Sequence, residues 1–420
     1  MYVPAIPSAM IDTAIVFVSG VAAGPELRLG GLGLLERALL NVARAGVRRC
    51  FVVGNIAKTG VVRGGTVEVK GLPNEAGAAV EVLHAAGVED DDSMLCLHAN
   101  TVFVPQLLRD LVGAYGNSAG ALVSVQPDHT GGLFPLPLAI VPLRVLPELW
   151  SELANDDETE LARWHAQGIS AWPTRGRVAM RLRHGTQTKA VERKLLLALE
   201  NPADGKIDAL LNRKLSRPLS RLFLRWRVRP NQITVVSFLV GVLAAAGFAC
   251  GTFFASLAGA LLLQLAAILD CCDGEVARIS FAESRLGHVL DITLDALANA
   301  AIFAGMAHGA AVTNQLVHAP ALGVAALVGV AGAFAVTTYA ETRLVARSNV
   351  PEYRLVSRLV GAMTTRDFSV IVLLATLTGA LPWFLWGAAV GANIFWLLLL
   401  ALLVRGAAAQ KERSTPDPAG

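Results

Sequence analysis

The chain has 420 residues, of which 54% are hydrophobic and 16% are charged, and its formal net charge is +3. This length allows two or three domains, but the crowding of apolar residues after about residue 231 excludes a single soluble core. The five cysteines form no CxxC pair, which argues against a zinc site or a disulfide framework.

The first part of the chain, from Ile11 to about Glu200, predicts an α/β domain. Short β-rich runs alternate with stretches of helical spacing, and this alternation predicts a Rossmann-like, mostly parallel sheet with helices on its faces. The predicted strands are Ile15–Val18, Cys50–Val53, Met94–Leu97 and Ala121–Val125, and the predicted helices are Leu34–Ala45, Ala76–Ala86 and Gln106–Ala114.

The start of this domain is similar to a known family. The run Gly30–Leu39, followed by Ala45–Val47 and Val52–Gly54, resembles the first helix and second strand of sugar-phosphate nucleotidyltransferases. That resemblance implies an Arg and a Lys on the nucleotide phosphates, and a metal-binding Asp after the strand Met94–Leu97.

The residues implied by this resemblance are missing from their expected places. The segment Gly20–Gly33 contains Arg28 but no Lys, and His98-Ala99-Asn100 follows the strand. An amide cannot supply the charge that a carboxylate gives a hard cation. We therefore predict a catalytically degenerate domain with a structural or regulatory role. A shifted alignment leaves open a carboxylate among Asp90, Asp91 and Asp92.

A basic segment follows. Between Arg175 and Arg229 there are fifteen Lys and Arg residues against four Asp and Glu. Such a belt before a membrane span suits anionic lipids or a phosphorylated substrate. Nucleic acid is the competing interpretation, but no aromatic-rich recognition motif accompanies the charge, so no nucleic-acid partner is expected. Within the belt, Lys206–Trp226 predicts an amphipathic helix in the membrane interface.

The second half predicts an all-α domain of six transmembrane helices. Lys and Arg are absent from three connecting segments but frequent in the others, so the positive-inside rule places the N-terminal domain and the C-terminus in the cytoplasm of a multi-pass membrane protein. The tail after residue 406 is predicted to be disordered. The predicted spans are Ile233–Cys250, Phe254–Cys271, Leu286–Met306, Ala319–Tyr339, Phe368–Leu381 and Trp386–Leu403.

Carboxylates stand at helical spacing in two consecutive spans. Asp270 and Asp273 are three residues apart, and Asp291 and Asp295 are four apart. A lone Asp at a membrane helix end is usually only interfacial, but four on two antiparallel neighbours predict one site at the cytoplasmic end. Buried carboxylates need compensating charge, and two divalent cations would supply it. Two such cations would hold a pyrophosphate in position for an in-line displacement.

The full pattern Asp-x2-Asp-Gly-x2-Ala-Arg-x8-Gly-x3-Asp-x3-Asp, from residue 270 to 295, resembles the signature of the CDP-alcohol phosphotransferase family. Pro230–Thr234 resembles that family's Pro-Asn-x-Ile-Thr element. The resemblance implies six membrane helices, Mg²⁺ or Mn²⁺, and release of CMP. It implies that Asp295 completes the metal site or acts as the base. The implied metal ligands are Asp270, Asp273, Asp291 and Asp295, and the implied CDP-binding residues are Asn231, Gly274, Ala277, Arg278 and Gly287.

The acceptor site is less clearly marked. Arg343 and Arg347 lie nearest a predicted span end and are candidates for holding an acceptor phosphate. Their alternative interpretation is ordinary positive-inside charge. The donor and acceptor alcohols stay open between CDP-diacylglycerol with a phosphorylated polyol and CDP-inositol with inositol phosphate.

These observations predict a fourfold division of the chain. It comprises a nucleotidyltransferase-like domain (1–200), a juxtamembrane helix (201–230), a six-span phosphotransferase domain (231–406) and the tail (407–420). The predicted partners are a CDP-alcohol, an alcohol or polyol-phosphate acceptor, membrane lipids and a second copy of the chain. A bifunctional enzyme whose first domain still makes CDP-inositol remains the alternative.

Overall fold

A computed structural model describes most of the chain. The described residues are 11–18, 27–54, 67–115, 121–127, 133–155, 169–174, 177–182, 187–198, 211–344, 351–363 and 368–414. The chain divides into two compact units. The first comprises 1–199 with 279–281, and the second comprises 200–278 with 282–420.

The first unit contains eleven strands and five α-helices among its described residues. The helices are α1 (Leu34–Arg44), α2 (Ala76–Ala85), α3 (Pro105–Tyr115), α4 (Leu146–Asn155) and α5 (Thr188–Ala198). The strands are β1 (Thr13–Phe17), β2 (Arg28–Leu29), β3 (Leu32–Gly33), β4 (Arg49–Val53), β5 (Glu68–Leu72), β6 (Ser93–His98), β7 (Thr101–Phe103), β8 (Leu122–Pro127), β9 (Leu133–Pro142), β10 (Ser170–Pro173) and β11 (Ala179–Arg181).

Seven of these strands form one sheet in the order β10-β8-β9-β6-β1-β4-β5. The neighbours β1–β4, β1–β6, β4–β5 and β8–β10 are parallel, while β9 runs antiparallel to both β6 and β8. The prediction of a mostly parallel sheet is therefore confirmed.

Both faces of this sheet are covered. In the central strand β1, Ala14 and Val16 join the core on one face, and Ile15 and Phe17 join the core on the other. Helices α1, α3 and α5 contribute to the first core, and α2 and α4 to the second. A strand buried on both faces needs the continuous apolar run that predicted it.

All the regular secondary structure in the described part of the second unit is helical. Its helices are α6 (Arg213–Arg225), α7 (Pro230–Ala249), α8 (Phe253–Ile279), α9 (Arg285–Val312), α10 (Ala319–Leu344), α11 (Pro351–Met363), α12 (Phe368–Leu377) and α13 (Leu381–Ser414). Pro230 begins α7, where its missing N–H is harmless. Ser284 caps α9, because its Oγ accepts a hydrogen bond from the Gly287 N–H at 2.9 Å.

Five of these helices are long and apolar enough to cross a membrane, considering only the described residues: α7, α8, α9, α10 and α13. The fifth predicted span corresponds to α12, which is apolar but has only 10 residues. The tail predicted to be disordered from residue 407 is helical as far as Ser414, because α13 continues past the apolar stretch. Residues 415–420 lie outside the described part.

The juxtamembrane helix α6 buries polar side chains against its own unit. Arg213, Ser216 and Ser220 are buried, while Leu215 is 46% exposed, which is compatible with the predicted position in the membrane interface. The contact that α6 makes with the rest of its unit is therefore largely polar. The start predicted for this helix, at Lys206, lies outside the described residues.

Glycines let α7, α8 and α9 approach through their backbones. A Cβ on Gly305 would overlap the Ala245 carbonyl oxygen, and one on Gly309 would overlap that of Phe248. A Cβ on Gly259 would stand 2.8 Å from the Ala244 carbonyl oxygen. Close packing of this kind, through small residues, is typical of membrane helix pairs.

Candidate active site

Three carboxylates meet between two consecutive membrane helices. Asp270 on α8 and Asp291 and Asp295 on α9 each offer an oxygen, and these oxygens all lie within 4.8 Å of one another. Residues 280–284 join the two helices, which therefore form an antiparallel hairpin. The spacing of four between Asp291 and Asp295 puts both on the face of α9 that meets Asp270.

The fourth predicted ligand is held by a neighbouring helix. Asp273 lies one turn after Asp270 and is 6% exposed. Its Oδ2 accepts a hydrogen bond of 2.6 Å from the Thr234 hydroxyl on α7. Asp273 is not part of the three-carboxylate group. The structure thus brings together three of the four predicted ligands and places the fourth beside them on α8.

The cluster has the composition of a divalent-cation site. Carboxylate oxygens this close repel one another strongly at low dielectric, so they require a compensating charge. Asp291 Oδ1 is buried and has no hydrogen-bond partner among the described residues. Oxygen donors of this kind are the ligands that Mg²⁺ and Mn²⁺ prefer, and the residues present fit such an ion.

The predicted nucleotide-binding residues lie on the same helices. Asn231 contacts Gly287, since a Cβ there would stand 3.0 Å from Asn231 Oδ1. The Arg278 guanidinium lies over Gly274, where a Cβ would stand 3.1 Å from Nη1. Ala277 is half-buried one turn after Gly274. Both glycines therefore make room for a neighbouring polar side chain.

The predicted acceptor residues are less informative. Arg343 falls in the last turn of α10, in a stretch whose side chains are outside the described part, and Arg347 lies outside the described residues altogether. Their phosphate-binding role stays a prediction.

From the sequence, no role was assigned to two residues that lie within the motifs of the site. Thr234 stands in the Pro-Asn-Gln-Ile-Thr element but was given no role of its own. Glu275 lies inside the carboxylate motif and pairs with Arg213 on α6. An ionisable residue inside an apolar span is a usable signal for such a site.

In the first unit, the polar residues at the carboxyl end of β6 are fully buried. His98 and Asn100 have no exposed surface. Asp90, Asp91 and Asp92 precede β6 and so lie at its amino end, and Asp91 pairs with Arg144 there. Ligands of open α/β sheets bind outside the carboxyl ends of parallel strands. These aspartates therefore lie at the wrong end of the strand to replace Asn100.

Comparisons with known proteins show what the chain is similar to. Residues 227–404 match the family model of CDP-alcohol phosphatidyltransferase. The chain is 41% identical over 98 residues to a bifunctional IPC transferase and DIPP synthase of Archaeoglobus fulgidus, covering 23% of this chain and 19% of that protein. It is 38% identical over 178 residues to the protein of the same name from Rubrobacter xylanophilus, covering 42% of this chain and 37% of the relative.

Both matches thus span well under half the length of these curated relatives. Among solved structures, the inositol-1-phosphate CTP transferase from T. maritima aligns over 46% of this chain and 100% of its own, with 13% identity and a TM-score of 0.33. The chain is an integral membrane protein with an α/β domain ahead of its helices, and residues 227–404 of its membrane half match the CDP-alcohol phosphatidyltransferase family model.

Proposed function

We propose that this protein transfers a phospho-alcohol group from a CDP-alcohol to an acceptor alcohol and releases CMP. The observation that carries the proposal is the meeting of Asp270, Asp291 and Asp295 within 4.8 Å, inside the region that matches the family. Three carboxylates between membrane helices are costly and mark a functional site.

The carboxylates would hold two divalent ions, Mg²⁺ or Mn²⁺. Asp270, Asp273 and Asp291 serve as ligands in this proposal, and Asp295 is either a fourth ligand or the base. When bound, such ions neutralise the pyrophosphate of the donor and polarise its phosphorus. Asn231, Gly274, Ala277, Arg278 and Gly287 would line the CDP site, where the Arg278 guanidinium can pair with phosphate.

The reaction follows from these positions. The acceptor hydroxyl oxygen attacks the phosphorus that carries the donor alcohol, and a new P–O bond forms as the bond to CMP breaks. CMP leaves with the electron pair of that bond. Asp295 takes the proton of the attacking hydroxyl.

The proposal includes a location and partners. The N-terminal domain and the C-terminus lie in the cytoplasm, so the carboxylate end of α8 faces the compartment that supplies CDP-alcohols. The acceptor is an alcohol or a polyol phosphate, and its phosphate would meet Arg343 or Arg347. Membrane lipids surround the helices, and a second copy of the chain forms a homodimer.

Incubation with a panel tests this function directly. The full-length protein in detergent or nanodiscs is supplied with Mg²⁺ or Mn²⁺, CDP-diacylglycerol or CDP-inositol, and polyol or inositol phosphates, while CMP is measured. We expect CMP only with a divalent ion, and a loss of at least 100-fold in Asp291→Asn. Glu283→Gln, an exposed carboxylate near the same hairpin, should retain wild-type turnover. Undiminished turnover in Asp291→Asn contradicts the assignment.

A second candidate function is favoured by the names of the relatives, which are bifunctional proteins. In that case the first domain would transfer a cytidylyl group from CTP. We propose instead that it does not. Asn100 is fully buried where a ligand carboxylate is expected, and the segment Gly20–Gly33 contains Arg28 but no Lys. The full chain with CTP, Mg²⁺ and sugar or polyol phosphates should release no pyrophosphate above background. Release above background restores the bifunctional alternative.

A further inference from the structure

A buried polar cluster joins the juxtamembrane helix to the helix that carries the first two aspartates. The Glu275 side chain on α8 is only 1% exposed. Its Oε1 accepts hydrogen bonds from Arg213 Nη1 at 3.0 Å and from the Ser216 hydroxyl at 2.8 Å. Its Oε2 accepts one from the Ser220 hydroxyl at 2.6 Å. Each carboxylate oxygen therefore has a donor from α6.

The three donors form one face of α6. Residues 213, 216 and 220 follow the spacing i, i+3, i+7, so they project together. The neighbouring Cys272 thiol also contacts the Ser216 carbonyl oxygen, at 3.5 Å. We call Glu275, Arg213, Ser216 and Ser220 the α6 clasp.

The α6 clasp contacts α8 on the side that carries Glu275. Glu275 lies two residues after Asp273 and five after Asp270. With roughly 100° of rotation per residue, it stands roughly 140–160° around the helix from both aspartates. The clasp therefore holds α8 from the side opposite to the carboxylate cluster.

Burial of an ion pair rarely contributes net stability, because desolvation opposes the attraction between the charges. An apolar contact would hold two helices together equally well. Directional hydrogen bonds to both oxygens, however, restrict rotation of α8 about its axis. A rotation of about 20° would move a carboxylate at the helix surface by roughly 2 Å, and misplacement of about 1 Å can cost 100-fold in rate.

We propose that Glu275 is a positioning residue of the active site. Through the α6 clasp it fixes the rotation of α8, so that Asp270 meets Asp291 and Asp295 and Asp273 meets Thr234. The juxtamembrane helix is then part of the catalytic unit as well as a basic segment at the membrane surface. The proposal rests on the proposed function for its metal and its reaction.

The test separates stability from positioning. The double variant Arg213→Met, Glu275→Leu replaces the pair by apolar residues of similar size, and the milder variant Ser216→Ala, Ser220→Ala removes two donors. Mn²⁺ affinity is measured by electron paramagnetic resonance on full-length protein, with thermal unfolding and CMP release alongside. Lys214→Gln, on the exposed face of α6, is the matched control.

We expect the double variant to keep a wild-type unfolding temperature within a few degrees. The serine variant should fold but unfold at a lower temperature, because the buried Glu275 Oε2 loses its Ser220 donor. The Mn²⁺ Kd of both variants should rise about tenfold, and kcat should fall more than the KM for the acceptor changes. Wild-type Mn²⁺ affinity in a folded clasp variant overturns the proposal. If the double variant does not fold, the serine variant decides by the same criterion. If the Mn²⁺ Kd rises in the clasp variants but the wild type releases no CMP, the proposed function is contradicted. The positioning role of Glu275 is supported in that case.

Discussion

At the scale of single residues, the position of Asp295 distinguishes it from the other two carboxylates of the group. It lies one turn beyond Asp291 on α9 and is the exposed member of the three-carboxylate group. A catalytic base must reach the hydroxyl group of the acceptor, whereas a metal ligand must reach only the metal ion. The more buried Asp270 and Asp291 suit the second role.

We expect Asp295→Asn to lower turnover by about 100-fold or more, which is the usual contribution of a positioned base. Binding of the CDP-alcohol should suffer less than in Asp270→Asn. Equilibrium binding of a non-hydrolysed CDP-alcohol, measured beside single-turnover CMP release, distinguishes the two variants. Equal losses of binding would assign Asp295 to the metals.

The Thr234 hydroxyl provides a second prediction. Its hydrogen bond to Asp273 joins a hydroxyl to a carboxylate, and such bonds contribute about 1.5–3 kcal/mol. Thr234→Val should therefore reduce kcat/KM by roughly tenfold or more, since Asp273 loses the group that orients it. Thr234→Ser keeps the donor and should stay within about threefold of the wild type. Steady-state CMP release measures both variants, and equal activities in the two would exclude a role for the hydroxyl.

The sequence predicted the carboxylates of the site, but it did not predict the side chains on other helices that contact Asp273 and Glu275. The spacing of Asp270, Asp291 and Asp295 reflects helix periodicity, so it predicted their meeting. The partners of Asp273 and Glu275 lie on other helices, and periodicity within one helix does not say which neighbour it meets. That information resides in tertiary packing.

At the scale of elements, the sequence predicted the strands that have an apolar run and did not predict β5 and β9. Strand β5 is an exposed edge with the polar sequence Glu-Val-Lys-Gly-Leu, so it lacks an apolar run. Strand β9 contains Pro135 and Pro137, which argue against a central strand. Its antiparallel pairing with β6 and β8 nevertheless places it inside the sheet. The parallel strands β1, β4 and β6 were predicted because burial on both faces demands unbroken apolar runs.

Close helix contact in the membrane half yields a third prediction. Gly305→Ala introduces a Cβ that overlaps the Ala245 carbonyl oxygen, so α7 and α9 must separate. Overpacking of this kind costs about 1–3 kcal/mol, which exceeds the gain of about 1 kcal/mol in helix propensity. Gly391→Ala on α13 meets nothing within 4 Å and isolates the propensity effect. We expect a lower Tm for Gly305→Ala only, as measured by thermal unfolding in detergent.

At the scale of the whole molecule, one thiol reports on the orientation in the membrane. Cys250, at the end of α7, is exposed, whereas the other four cysteines are buried. Burial also raises the pKa of the Cys50 and Cys96 thiols to about 12, so they hold little of the reactive thiolate. The native chain therefore carries a single reactive label site near a predicted non-cytoplasmic loop.

A membrane-impermeant maleimide should label Cys250 from the non-cytoplasmic side of sealed vesicles and not from the cytoplasmic side. Cys250→Ala should abolish the labelling and provides the background. Mass spectrometry of the labelled peptide measures the result. Labelling from the cytoplasmic side alone would reverse the proposed topology.

The backbone contacts among α7, α8 and α9 also bear on how the protein adapts to bilayers of different thickness. These helices have 20, 27 and 28 residues, which at about 1.5 Å per residue gives unequal lengths around a hydrocarbon layer of about 30 Å. Helices that touch only through side chains can each tilt to meet hydrophobic mismatch. Because Gly305, Gly309 and Gly259 bring these backbones into contact, the three helices must tilt together. We therefore expect a thinner or thicker bilayer to tilt the three helices together and to leave the distances within the carboxylate cluster unchanged.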